Sequence, residues 1–224
     1  MCEIAALVPV KENSERVNAK NFQLLGGIPL FERKLQQLKR CASSFEEIII
    51  SSDSLVVLET AERIGFRAIE RPVYYCTSHV PMSEVYAYCA QLTECESVAW
   101  INVTNPFFDE DDIRNAISIY CNLVTEGTKN GVPRSNISAT TVTEIFDYGV
   151  FDGHPVNFEY TPWARSQDLS PISFFNFACS ILSRKVLIEH RSLVMPNQHH
   201  IKTDQVHGLD IDTEIDLLIA RALC

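Results

Sequence analysis

The feature that most constrains this chain is a rhythm: short apolar runs alternate with stretches of helical spacing from Ile4 to Val124. Ile4-Ala5-Ala6-Leu7-Val8-Pro9-Val10 is a continuous apolar run, as expected of a strand buried on both faces. From Pro29, a residue suited to a first helical turn, apolar side chains recur at Phe31, Leu35, Leu38 and Ala42. Glu47 to Ser51 reads as a second strand, and Asp53 or Ser54 can cap a helix running through Ile64. Residues 67–70 make a third strand, 81–94 a helix, 98–103 a fourth strand, and 109–124 a helix with acidic residues in its first turn. Such alternation predicts an α/β fold with a doubly wound, mostly parallel sheet.

After Thr125 the rhythm breaks. Residues 136–146 alternate like a strand, Val150 to Phe158 reads as a hairpin turning at Asp152-Gly153, and a polar stretch runs from Tyr160 to Pro171. We expect 136–172 to be a β-rich excursion from one domain spanning 1–224. A strand (173–182), a helix (183–190) and a strand–helix unit (206–223) then return to the core, with Ile215, Leu218, Ile219 and Ala222 as the last helix's apolar face. A chain of this length buries roughly 70–75% of its unfolded surface and needs no disulfide or structural metal.

Net charge is −10, from 19 basic and 29 acidic residues, which argues against nucleic acid as a partner. It also makes any tight basic cluster informative. The eight cysteines show no C-x-x-C, and Cys41, Cys89, Cys121 and Cys179 read as small core residues. His190, His199, His200 and His207 fit no common metal spacing and are expected in exposed loops. No apolar run approaches the ~18 residues of a membrane span, and no leader pattern is seen, so cytoplasm is the expected compartment.

Two segments carry chemistry. The loop after the first strand places Lys11, Arg16 and Lys20 within ten residues, beyond the carboxyl end of a strand, where open sheets bind ligands. Arginine grips phosphate oxygens bidentately and lysine neutralises as a point charge, although a solvated loop with scattered cations reads the same way. Near the other end, Asp210-Ile211-Asp212, if it ends a strand, puts two carboxylates on one side, where they could hold a hard cation. Asp212 or Thr213 would equally serve as a helix cap. There is no G-x-G-x-x-G and no P-loop.

Lys11-x-Asn13-Ser14-Glu-Arg16-x-x-x-Lys20-Asn21 after an apolar strand resembles the signature of the acylneuraminate cytidylyltransferase family, and Asp210-Ile211-Asp212-x-x-x-Asp216 its metal-binding ending. Asn102-Val-Thr104-Asn-Pro106, Arg71-Pro72 and Arg165-Ser-Gln167-Asp-Leu are similar to further family segments. The resemblance covers essentially the whole chain and implies a Rossmann-like nucleotidyltransferase. It would use CTP and Mg²⁺ to couple CMP to an acidic 2-keto sugar, as a homodimer formed through the excursion. It implies Lys11, Arg16 and Lys20 at the triphosphate, Asn13, Ser14, Asn21, Arg71 and Ser83 around the nucleotide, and Asp210 and Asp212 at the metal. Asn102, Thr104, Arg165 and Gln167 would meet the sugar, with Asn102 where sialate enzymes carry a glutamine. A metal-dependent glycosyltransferase and a non-catalytic nucleotide-binding relative are the alternative readings.

Overall fold

The computed structural model describes residues 2–14 and 16–224. Its strands and helices follow in the order β1 (Ile4–Val10), β2 (Leu24–Leu25), β3 (Ile28–Pro29), α1 (Leu30–Arg40), β4 (Glu47–Ser52), α2 (Leu55–Ile64), β5 (Arg67–Glu70), α3 (Met82–Ala90), β6 (Ser97–Ile101) and α4 (Glu110–Lys129). Then come β7 (Ser138–Ile145), β8 (Val150–Phe151), β9 (His154–Pro155), β10 (Ile172–Ser183), α5 (Arg184–His190), β11 (His199–Thr203) and α6 (Glu214–Ala222). A seven-stranded sheet takes the order β11-β7-β10-β6-β1-β4-β5. Only β10 runs antiparallel to its neighbours, β6 and β7. The mostly parallel α/β sheet expected from the rhythm is the one observed.

Strand periodicity explains the two faces. Ile4, Ala6, Val8 and Val10 of β1, with Ile48 and Ile50 of β4, enter one apolar layer packed by α1, α2 and α4. Leu7 and Ile49 point the other way, to α3 and α5. Burial on both sides is why β1 reads as an unbroken apolar run. A third, smaller cluster joins Val17, Leu25 and Leu30 to Ile211, Leu217 and Ala220. That cluster matters for function, because it packs the first loop against the last one.

Several boundaries move. Residues 138–145 belong to the central sheet, so the off-sheet segment begins after Ile145 and ends at Ile172. β7 is rich in serine and threonine and still largely buried, which disguises a core strand as a polar one. The final strand is His199–Thr203, not 206–212, so His199 and His200 are exposed on an edge strand rather than in a loop. Residues 208–212 are irregular, and period-two reasoning does not apply to Asp210 and Asp212. Helix α6 buries Leu217 and Ala220 and leaves Ile215, Leu218 and Ile219 exposed. Neither expected cap is used at α2: Ser54 precedes it without a side-chain hydrogen bond to the helix, and Asp53 accepts from Glu12 N at 2.8 Å. Cys41, Cys89 and Cys179 are core residues as expected, whereas Cys121 is half-buried. No helix among the described residues is long and apolar enough to cross a membrane.

Candidate active site

Beyond the carboxyl ends of β1, β5 and β6 lies a cleft of about 310 Å³. Its position follows from the topology, since the loops leaving adjacent parallel strands diverge there. One end is lined by Lys11, Arg16 and Lys20 with Asp210 and Asp212; the other by Arg71, Tyr75, Val80, Met82 and Val85. Four cations thus face two carboxylates, a local excess of two positive charges in a chain of net charge −10. A charged end beside an apolar end is the shape a nucleoside triphosphate needs.

The first and last loops meet through charge and apolar contact together. Arg16 donates from Nη1 and Nη2 to the two Asp212 oxygens at 3.0 and 2.8 Å, and Lys20 Nζ reaches Asp212 Oδ1 at 2.9 Å. Val17 and Ile211, the buried residues between these charges, pack in the same small cluster. Asp212 is free for this role because Thr213, in a capping box with Asp216, starts α6. Hydrogen bonds from Thr213 and from the Asp212 amide outweigh desolvation and hold the Asp216 carboxyl below its usual range. Asn21 donates to Lys11 O at 2.8 Å, which bends the first loop back on itself.

Asp210 is the unusual group. Its Oδ1 is buried and has no hydrogen-bond partner. Desolvation raises its pKa, a hydrogen bond with Thr104 works against the rise, and the charge of Asp212 adds to it. A buried, underpaired carboxylate oxygen next to a second carboxylate fits a hard cation, and Asp210 and Asp212 are the residues that would hold Mg²⁺.

The β6 exit loop is braced from beneath by residues that sequence reasoning missed. Lys34, fully buried, donates to Phe108 O at 2.5 Å, and burial pulls its ammonium down to about 7. Gln37 donates to Pro106 O at 2.9 Å. Asn105 Nδ2 reaches Asn176 O and Leu209 O, and Ile211 N donates to Thr104 O. Asn176 Nδ2 in turn donates to Thr143 and Thr203. This network carries Asp210 to the cleft. Lys34 lies three residues after Phe31 and four before Leu38, on the buried face of α1, but a single lysine there is ordinarily read as reaching solvent.

Nine expected site residues line the cleft: Lys11, Arg16, Lys20, Asn21, Arg71, Asn102, Thr104, Asp210 and Asp212. Asn13, Ser14 and Ser83 are not among its lining side chains. Nor are Arg165 and Gln167; Arg165 pairs with Asp168 on the off-sheet segment. Asn102 lines the cleft but is already engaged, accepting from Trp100 Nε1 and donating to Phe177 O, both at 3.0 Å.

Near α4, ligand-type atoms of Asp109, Asp112 and His207 lie within 4.8 Å of one another. The carboxylates already form the capping box of α4, and His207 Nδ1 lies 2.6 Å from Asp112 Oδ2. Burial opposes the imidazolium, but the Asp112 hydrogen bond and the charges of Asp112, Asp204 and Asp109 outweigh it and raise the His207 pKa. A raised histidine pKa stabilises the fold fully below about 6.5, and that contribution is lost as pH rises through the folded value. Wild type should therefore melt about 1–2 °C above His207→Asn at pH 6, with the gap closing by pH 8. A gap independent of pH would mean that the pair acts by packing alone.

An open, mostly parallel sheet with a cation-rich cleft beyond its strand ends defines a Rossmann-like α/β protein built to handle a nucleotide. The profile of the Cytidylyltransferase family matches residues 5–149, and the chain belongs to that family of nucleotidyltransferase enzymes. It is 24% identical to an N-acylneuraminate cytidylyltransferase of Escherichia coli over 97% of its own length, spanning 51% (about half) of that relative. It is 24% identical to the CMP-N,N'-diacetyllegionaminic acid synthase of Legionella pneumophila, covering 98% of this chain and 95% of that one. The fold superimposes on a CMP:2-keto-3-deoxy-manno-octonic acid synthetase solved with CTP, at TM-score 0.67 and 14% identity over 99% of this chain and 98% of that one.

Proposed function

We propose that this chain transfers CMP from CTP to the anomeric hydroxyl of an acidic 2-keto sugar, releasing pyrophosphate. The observation that carries the reading is the cleft's charge arrangement: Lys11, Arg16 and Lys20 gathered around two carboxylates, opposite an apolar wall holding Arg71. The relatives' names, an acylneuraminate, a legionaminic acid and a ketodeoxyoctonic acid, support the acidic sugar class.

Transfers of this kind are catalysed mainly by positioning and by neutralising charge. Arg16 and Lys20 are held at Asp212 and exchange that single carboxylate for triphosphate oxygens when CTP enters. Lys11 meets the triphosphate from the end of β1. Mg²⁺ held by Asp210 and Asp212 would supply further neutralisation of the phosphates and the attacking oxygen. Arg71, with the apolar wall, takes the base, and Thr104 orients Asp210. No side chain stands out as general base.

The deciding experiment is pyrophosphate release with CTP, UTP, ATP and GTP against N-acetylneuraminate, a legionaminate, a pseudaminate and a ketodeoxyoctonate. CTP with at least one acid should turn over well above the other nucleotides. Equal turnover with UTP would reassign the chain as a general sugar nucleotidyltransferase, and release with none would leave a non-catalytic nucleotide binder.

The off-sheet segment between Ile145 and Ile172 supports a homodimer. Tyr148, Phe158 and Trp163 pack on one another, with Tyr148 and Trp163 stacked at 4.8 Å, yet Trp163 stays 63% exposed and Phe151 79%. An exposed aromatic cluster with an arginine beside it suits a subunit interface. In this reading Arg165 and Gln167 approach the sugar carboxylate of the partner's cleft, which accounts for their absence from their own. Mixing Arg165→Ala with Asp212→Asn subunits should recover up to about half of the wild-type rate, because one site in each mixed dimer carries neither lesion. A monomer by light scattering, or no recovery in verified mixed dimers, would reject the shared site.

A further inference from the structure

Cys76 ends the short 3-10 turn Val73–Cys76 that follows β5, and it lines the cleft at its apolar end. Arg71 Nε donates to its sulfur at 3.1 Å. Arg71 is only 4% exposed, and among the described residues this is its one side-chain hydrogen bond. Its two Nη nitrogens therefore carry charge into the cleft wall without a protein acceptor. The rest of the side chain is buried, so these two nitrogens are reached only from the cleft, where a ligand oxygen can meet them.

Burial raises the Cys76 pKa, the Arg71 guanidinium opposes the rise, and the carboxylate of Asp53, whose Oδ1 accepts from Glu12 N, adds to it. The sulfur is oriented from behind as well. Pro72 O and Arg71 O lie 3.7 and 3.9 Å from Sγ, and with the Asp53 carboxylate they are the acceptors for the thiol proton, which leaves a lone pair facing Nε. On the far side Tyr75 is stacked on Tyr88 at 4.3 Å, which fixes the turn that presents the cysteine.

We propose that Cys76 is a positioning residue for nucleotide binding: its sulfur sets the rotation of Arg71, so that both Nη groups face the cleft, and bound nucleotide covers the thiol. The inference rests on the reading of the cleft as a CTP site. A guanidinium anchored at Nε keeps its two remaining nitrogens in a fixed plane, suited to a base carbonyl in a defined place. Without the sulfur that plane loses its one hydrogen-bonded anchor, and the cost falls on binding rather than on the chemical step.

Two readouts test this. Iodoacetamide labelling with peptide mass spectrometry, in the presence of CTP at ten times its Kd, should modify Cys76 about tenfold more slowly than in its absence. The exposed Cys224 should label at the same rate in both and serves as internal reference. In kinetics, Cys76→Ala should raise KM for CTP about tenfold with kcat nearly unchanged, and Cys76→Ser, which can still accept from Nε, should recover most of that loss. If CTP binds and turns over while Cys76 labels equally with and without it, or if Cys76→Ala keeps the wild-type KM, the inference falls and the CTP site stands. If CTP neither shifts the melting temperature nor protects any thiol, the CTP site itself is wrong and the inference falls with it.

Discussion

Asp212→Asn should reduce turnover on the order of 10³-fold while lowering the melting temperature by only about 2–6 °C. The carboxylate is partly exposed and lies where Arg16 and Lys20 converge. On the proposed function, neutralising it removes charge from the place where Mg²⁺, Arg16 and Lys20 would be arranged around the triphosphate. The fold loses an exposed pair with Arg16 and a half-buried one with Lys20, together worth about 1–2 kcal/mol, and the remaining amide oxygen can still accept from either cation. Asp210→Asn should act differently, because Asp210 is the buried partner with an unsatisfied oxygen. An amide there can still meet Thr104, so the fold persists, but the Mg²⁺ concentration giving half-maximal rate should rise by at least about tenfold. A Mg²⁺ titration followed by pyrophosphate release separates the two. Wild-type activity with an unchanged titration in either variant would reduce that aspartate to a structural role.

Gly208→Ala should be damaging although it lies outside the cleft. A Cβ at that position would come within 2.1 Å of Thr143 Oγ1, 2.5 Å of Thr203 Oγ1 and 2.7 Å of Asn176 Nδ2. These three atoms are bonded to one another and belong to the buried network beneath Asp210, so none can yield cheaply. Overpacking of this kind costs about 1–3 kcal/mol, or about 3–10 °C in Tm for a chain of this size. Activity should fall further than stability, since Asp210 is two residues away and moves with the strained segment. Removing the nearest oxygen tests the mechanism: Thr143→Ala in the Gly208→Ala background should restore part of the melting temperature. A double variant no more stable than the single one would place the strain elsewhere.

Much of this was legible in sequence, and the exceptions have physical causes. β1 and β4 announced themselves as unbroken apolar runs because both of their faces are buried, and α1 and α4 because their apolar side chains recur at helical spacing. The cationic loop was legible because three cations in ten residues stand out against a net charge of −10. β7 was read as part of an excursion because Thr140, Thr141 and Thr143 satisfy their hydroxyls inside the sheet, with Thr141 accepting from Cys179 N, which composition does not reveal. Asp210 and Asp212 came together without the strand that was to align them; apolar packing of Ile211 against Val17 does that work. Lys34 was invisible for a simpler reason: a lysine at a helix position is ordinarily read as solvated, and only the carbonyl of Phe108 makes its burial tolerable.

The contact between Arg16 and Asp212 spans 196 residues of sequence. Neither half of the charged end of the cleft exists without the other, so the site cannot assemble locally as the chain is made. On a ribosome the first strand and its loop emerge well before Asp212, and Arg16 and Lys20 lack that partner until the segment up to α6 has cleared the exit tunnel. The sheet can condense before then, but the charged end of the cleft is complete only once Asp212 is in place.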